Sequence, residues 1–547
     1  MRLPLFFAAA ALASMPGTAL AQATSDEPLF KPEEVRAHIE FLADDVLEGR
    51  DAGTRGYAVA ARYVATRFEA LGLKPSGPDG SWYQQVPLAQ YALDTSKPAT
   101  LGVGGTHFVN GSDILMGATP RGGGGTQTLS ADAVFVGYGL DASARGHDDY
   151  AGVDVTGKFA VMLQALPKGL PDPVGAMDAR ASTAAKHGAI GIVYLIAPTE
   201  AKTFPWSAAN SYYARPQTSW LTPEGTPAGI DPRIQVGFYA SDKVAGALFE
   251  GAPMPADAVF AAATAGSDIK SFPLLPKLTT SRTSTVKSMT SPNVLGLLPG
   301  SDPKLSKEVV LLSAHLDHEG LDPKLAGDQI YNGAMDNAAG TAAMLEAARG
   351  FAQSGKRPKR SILFVSLTAE EDGLLGSDYL ARHPVVADGK VVADVNLDMP
   401  ILLYDFQDVV AFGAEHSTLG PIVGRAAAKM GVTLSPDPMP EEQLFVRSDH
   451  FSFVKAGVPS VFLVTGFKNG GEKAFRDFLK TRYHKVSDQA DQGLDWAAGA
   501  KFARINYLIA REIADAPEAP RWYEGNVFGD RFAPDAPKAP PPAKSAD

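Results

Sequence analysis

Between residues 308 and 513 the chain alternates short apolar runs with stretches of helical periodicity, and no other feature limits the fold as much. VVLLSAH, SILFVSL, VVADVNLDM and PSVFLV read as buried strands, and helical patterns such as 337–351 and 496–513 lie between and after them. Alternation of this kind predicts an α/β, three-layer sandwich with a mixed, mostly parallel sheet.

The apolar runs end in, or lead to, side chains of metal-binding type, so such a fold would gather five patches at one sheet edge. In SAHLDHEG, His315 and Asp317 are alternate residues that point the same way on a strand. His315 is thus a candidate ligand and Asp317 a candidate to orient its ring. Their neighbour His318 is read as an ordinary core or surface histidine. Asp336 in GAMDNAAG stands at a helix start, where capping alone explains a carboxylate. Its place among other ligand candidates also suits a group that bridges two ions about 3.5 to 4 Å apart. Glu370 and Glu371 in TAEEDGLLGS are adjacent acids after a strand, a costly arrangement without positive charge between them. A metal supplies that charge and leaves one Glu to ligate and the other to serve as general base. Asp398 closes VVADVNLDM in the same topological position, and His484 follows a helical pattern, with Tyr483 beside it. The charges of Asp336, Glu370, Glu371 and Asp398 balance two Zn2+ ions. The chain has no cysteine, so the ligands are His and carboxylate, which suits catalytic zinc with Co2+ or Mn2+ as substitutes.

In order and spacing, SAHLDHEG, NGAMDNAAG, TAEEDGLLGS, LDM and YHKVSD resemble the motifs of peptidase family M28, over roughly residues 30–100 and 280–515. The resemblance implies a phosphorylase/hydrolase-like α/β fold and a two-zinc aminopeptidase acting on peptide or protein N-termini. It implies that Asp336 bridges the ions, that His315 and Asp398 complete one site and Glu371 and His484 the other, and that Glu370 is the base. It also implies a cis peptide after Asp336. RSDHF resembles a family segment near the active site, which makes Arg447, Asp449 and His450 candidates for the substrate pocket or for the groups behind the ligands. The scaffold also serves carboxypeptidases and dipeptidases, for which Arg447 would anchor a terminal carboxylate. Single-zinc glutaminyl cyclases and non-catalytic binding proteins are further relatives, but both ligand sets are complete here.

The N-terminus, MRLPLFFAAAALASMPGTALAQA, has the pattern of a cleavable secretory leader, with cleavage expected after Ala21. Together with the lack of cysteine, this leads us to expect an exported protein, periplasmic or secreted and bacterial, with no stable membrane insertion. A net charge of −11 leaves no basic footprint for nucleic acid. The expected organisation is a leader at 1–21, the first part of the peptidase domain at 22–109, an inserted β-rich domain at 110–275, the catalytic domain at 276–515 and a flexible Pro/Ala-rich tail at 516–547. The insert resembles a protease-associated (PA) domain through GKFAVML and AAKHGAIGIVYL, and its aromatic loop TFPWSAANSYYARPQTSW is expected to be anchored by Trp206 and Trp220. The oligomeric state is not indicated by the sequence.

Overall fold

The computed structural model describes residues 28–542 apart from 143–146, 171–172, 201–203, 268 and 387. The leader lies outside the described residues. No helix among them is long and apolar enough to cross a membrane.

The four apolar runs form the strands Glu308–His315, Ser361–Leu367, Lys390–Leu397 and Ser460–Thr465. They pair side by side in parallel, in the order Ser361–Leu367, Glu308–His315, Lys390–Leu397, Ser460–Thr465. Antiparallel neighbours on each side, the end of Phe272–Leu298 and Asp408–Phe412, make the sheet mixed. Along each strand successive residues serve opposite faces. Val310, Leu312 and Ala314 pack beneath helices Pro32–Leu42, Arg55–Ala70, Ala339–Gln353 and Trp496–Asp515, whereas Val309 and Leu311 meet Leu380 and Phe453 from the opposite layer. The result is the α/β sandwich expected from the alternation.

The strand Phe272–Leu298 is 27 residues long, continues beyond these strands and pairs with Tyr83–Leu93 from Val294↔Tyr83 to Ser284↔Leu93. Its first half carries the same hydrogen-bonded sheet into a second lobe, in which Gly125–Phe135, Phe159–Leu163, Gly191–Leu195 and Val236–Ala240 run parallel. That lobe has its own apolar core, drawn from residues between Ala99 and Leu278. Helices Pro173–Lys186, Asp242–Leu248 and Ala256–Ala265 accompany it, so this region carries more helix than its sequence texture suggests.

The expected aromatic loop is instead the helix Trp206–Ala214 followed by the strand Gln217–Trp220, and it is pinned at both ends. The Trp206 indole donates to Gly111 O at 2.8 Å, and Trp220, 5% exposed, donates to Asp378 Oδ2 at 2.9 Å and packs edge-on against Tyr379 and His383 of the catalytic layer. The expectation of a flexible tail does not describe residues 516–542. Trp522 is 2% exposed and donates to Gly457 O at 2.9 Å, and helix Val527–Phe532 brings Phe528 and Phe532 onto the same apolar cluster. A few aromatic anchors outweigh the proline-rich composition.

Candidate metal centre

The parallel register places His315 opposite Leu367 and Ser313 opposite Asn396, so the residues that follow these strands emerge at one edge. There the structure joins Asp336, from the turn before helix Ala339–Gln353, with His484, which follows helix Gly471–Thr481. The Asp336–Asn337 peptide is cis. Ala369, Met399 and His484 have φ of 53°, 37° and 51°, left-handed values that a residue with a Cβ adopts at a cost, and each adjoins or is a candidate ligand.

The two oxygens of Asp336 face different partners. Oδ1 lies 3.2 Å from His315 Nε2, which is itself 3.2 Å from Asp398 Oδ1. Oδ2 lies 3.3 Å from His484 Nε2, which is 3.1 Å from Glu371 Oε2. A tetrahedral ion with bonds of about 2.0 Å holds its ligands about 3.3 Å apart. The two imidazole–carboxylate pairs in each group therefore have the spacing of zinc ligands, and the donor set of imidazole and carboxylate fits that metal; the trios whose donors all lie within 4.8 Å of one another are His315, Asp336 and Glu371, and Glu319, Glu371 and His484. Among the described residues no imidazole or cation lies within ion-pairing distance of Glu370, in contrast to the other three carboxylates.

Burial raises Glu370 well above the ordinary carboxylate range; His315 opposes this, while Glu371 and Asp398 add to it. Burial and Asp336 also work to raise Glu371, but contacts from His318 and His484 overcome them and hold it at about 2. The pocket thus concentrates negative charge that needs a positive counterpart.

Several contacts were not foreseen in the sequence. His318, read as ordinary, is buried with Nδ1 2.7 Å from Glu371 Oε1 and orients that carboxylate. The strand ends at His315 and the chain turns beyond it, so strand alternation does not decide where His318 points. Glu319 Oε1 lies 3.0 Å from His484 Nδ1 and steadies the ring from its far side. Ser448 Oγ donates to Asp398 Oδ2 at 2.7 Å. Asn337 donates to Leu397 O at 2.9 Å and accepts from Met399 N at 3.3 Å, gripping the backbone on both sides of Asp398.

Of the expected outer residues, Asp317 is fully buried, but it is its main-chain oxygen that meets His315 Nδ1, at 3.2 Å; its carboxylate accepts the N–H of Glu371 at 3.2 Å. Asp449 lies buried behind the site, raised to about 7 chiefly by burial. His450 is also buried, between Phe445 and Phe462, and burial lowers it to about 3; it lies outside the cavity lining.

A cavity of about 230 Å³ opens beside the ligands. Met399, Phe412, Phe462, Val464, Phe475 and Leu479 give it an apolar wall, and Tyr483, its ring tilted against that of His484 with centroids 3.9 Å apart, lies between wall and candidate ligands. Arg447 is at its rim, about half exposed and 3.6 Å from Glu442.

Residues 293–510 match the family model "Peptidase family M28". The chain is 29% identical over 277 residues to Leupeptin-inactivating enzyme 1 of Streptomyces exfoliatus, covering 48% of this chain and 57% of that protein. It is 28% identical over 238 residues to a probable leucine aminopeptidase of Arthroderma otae, covering 41% of this chain and 58% of the relative. The chain thus spans little more than half the length of either. A solved aminopeptidase from Aneurinibacillus sp. strain AM-1 is similar at 20% identity and a TM-score of 0.48, covering 90% of this chain and 95% of the other.

Proposed function

We propose that this chain is an exported two-zinc aminopeptidase of the M28 type that removes apolar N-terminal residues from peptides. The observation that carries the reading is the division of Asp336, one oxygen toward His315 and Asp398 and the other toward His484 and Glu371, at the end of an apolar cavity. When bound, the two ions would polarise the scissile carbonyl and lower the pKa of the attacking water.

The chain's own groups supply the rest. Glu370, the carboxylate with no imidazole partner among the described residues, takes the proton from the attacking water and delivers it to the leaving amine. His318, Glu319, Ser448 and Asn337 hold Glu371, His484 and Asp398 in place. The apolar wall receives the side chain of the N-terminal residue and excludes water from the reacting bond. Arg447, the anchor a carboxypeptidase would use, has Glu442 beside it to offset its charge, which favours the amino-terminal reading. The inserted region, read as a PA-like domain, supplies no candidate metal ligand among the described residues and is assigned to restricting access.

Mass-spectrometric product analysis of the zinc-loaded protein tests this on peptides with free N-termini and on their N-acetylated twins. Stepwise loss of N-terminal Leu, Phe or Met from the free set alone is expected. C-terminal trimming of both sets would move the assignment to a carboxypeptidase, and intact peptides in both would favour a binding protein.

A further inference from the structure

The loop LEGRDAGTRG, which reads as a turn between two helices, runs against the back of the metal centre. Glu48, Gly49 and Arg50 have φ of 49°, 69° and 54°. A Cβ at Gly49 would lie 2.3 Å from Gly320 O and 2.6 Å from Tyr331 O, so only glycine lets the loop approach both segments. This conformation sends the Arg50 side chain, 1% exposed, inward.

The Arg50 guanidinium spends its donors on main-chain carbonyls: Leu42 O, Leu316 O at 2.9 Å, Asn332 O at 2.5 Å and Gly333 O at 3.0 Å. Leu316 follows the candidate ligand His315, and Asn332 and Gly333 begin the turn that ends in Asp336. Burial lowers Arg50 to about 10, which leaves it charged at neutral pH.

The opposite side of the same turn is held by an anion. Asp488 is fully buried, and its carboxylate accepts the N–H of Met335 at 3.0 Å and of Asp336 at 3.0 Å. Gln492 Nε2 adds a third donor at 2.6 Å, and the Asp488 main-chain oxygen takes Ala334 N at 3.1 Å. A cation therefore holds the carbonyls of 332–333 while an anion holds the amides of 335–336, and charged partners give the stronger class of hydrogen bond.

We propose that Arg50 and Asp488 are a pair of positioning residues that fix the 332–336 turn so that both oxygens of Asp336 stay available to two ions. The inference rests on the two-ion reading above. The Asp336 contacts of 3.2 Å and 3.3 Å on its two sides leave little room for the carboxylate to rotate. If the turn loosens, the two sites do not suffer equally. His315 is buried and its carbonyl accepts from Thr341 Oγ1 at 3.0 Å, whereas the His484 side chain is 32% exposed and comes from a loop. The ion shared by Asp336, Glu371 and His484 is therefore the one released first.

The test is zinc content by plasma mass spectrometry, with affinity measured by chelator competition, on the full chain and on Asp488→Asn and Arg50→Lys. Asparagine keeps the shape of Asp488 but turns an NH2 toward amides that need an acceptor; lysine keeps the charge of Arg50 but loses the fork. At a free zinc concentration where the wild type holds two ions, both variants are expected to hold one. The weaker site should lose about 10- to 100-fold in affinity, the scale typical of groups that support metal ligands. Far-ultraviolet circular dichroism and the melting curve should show folded protein throughout. If Arg50→Lys does not fold, Asp488→Asn alone decides. Folded variants that retain two ions at unchanged affinity would overturn the brace. A wild type that binds one ion or fewer would overturn the two-ion reading, and this inference with it.

Discussion

Glu370→Gln separates the chemistry from the metal binding. Asp336, Glu371 and Asp398 each contact an imidazole at 3.3 Å or less, whereas no such contact is found for Glu370 among the described residues. The substitution keeps the volume of the side chain and removes only its ability to accept a proton. A positioned general base contributes about 10²- to 10⁴-fold, which at 1.36 kcal/mol per factor of ten is about 3 to 5 kcal/mol of barrier. We expect kcat on an unblocked leucine anilide to fall by that factor. KM should move little, because the apolar wall formed by Phe412, Phe462 and Phe475 is untouched. Zinc content should stay at the wild-type level, measured on the same samples. A kcat within about threefold of wild type with zinc in place would refute the role of Glu370 as base. Parallel loss of zinc and activity would also refute it, since Glu370 would then be a ligand and Glu371 the proton acceptor.

Asp51 is held at about 7, above its ordinary 3.8, by burial and then by repulsion from Asp372. The folded chain thus keeps a proton that the unfolded chain releases, and stability falls as pH rises from about 4 to about 7. Asp51→Asn escapes this loss, so its advantage in urea melts should grow across that window to at most about 4 kcal/mol at pH 8; equal effects at pH 4 and pH 8 would contradict the reasoning. Trp522→Ala removes a buried indole from the cluster that contains Phe412, Phe462 and Val464 of the cavity wall. It should cost about 3 to 5 kcal/mol in urea melts and raise KM more than it lowers kcat. Trp220→Phe keeps the ring on Tyr379 and loses the bond to Asp378, whose Oδ2 still accepts from Arg382 at 2.9 Å. A loss of about 1 kcal/mol, seen in the same melts, is therefore expected, and a loss above about 3 kcal/mol would show that the seam between Trp220 and the helix carrying Asp378 depends on that hydrogen bond.

Local regularity decided what could be read from the sequence. The α/β sandwich was legible because VVLLSAH and its counterparts are short and apolar, and strand register converts such runs into neighbours at one edge. His315, Glu371 and Asp398 stood out because each lies at or just after a strand end, where side chains reach the same rim. The residues that hold the ligands had no such mark. His318 lies past the end of the strand, where alternation no longer decides its direction, and Ser448 reaches Asp398 from 50 positions away. Composition misled in the tail for a related reason: an average over many prolines and alanines dilutes Trp522, Phe528 and Phe532, which suffice to pack the segment. Arg50 shows the limit most clearly. In the sequence it is an arginine in a glycine-bearing loop, the setting of a surface residue. Only the positive φ values at 48–50 and the approach of Gly49 to Gly320 turn it inward, and those depend on segments some 270 residues further along the chain. Candidate ligands are thus legible from local placement and the groups that contact them only from distant packing, so a sequence can disclose candidate metal-binding groups before it discloses what keeps them in register.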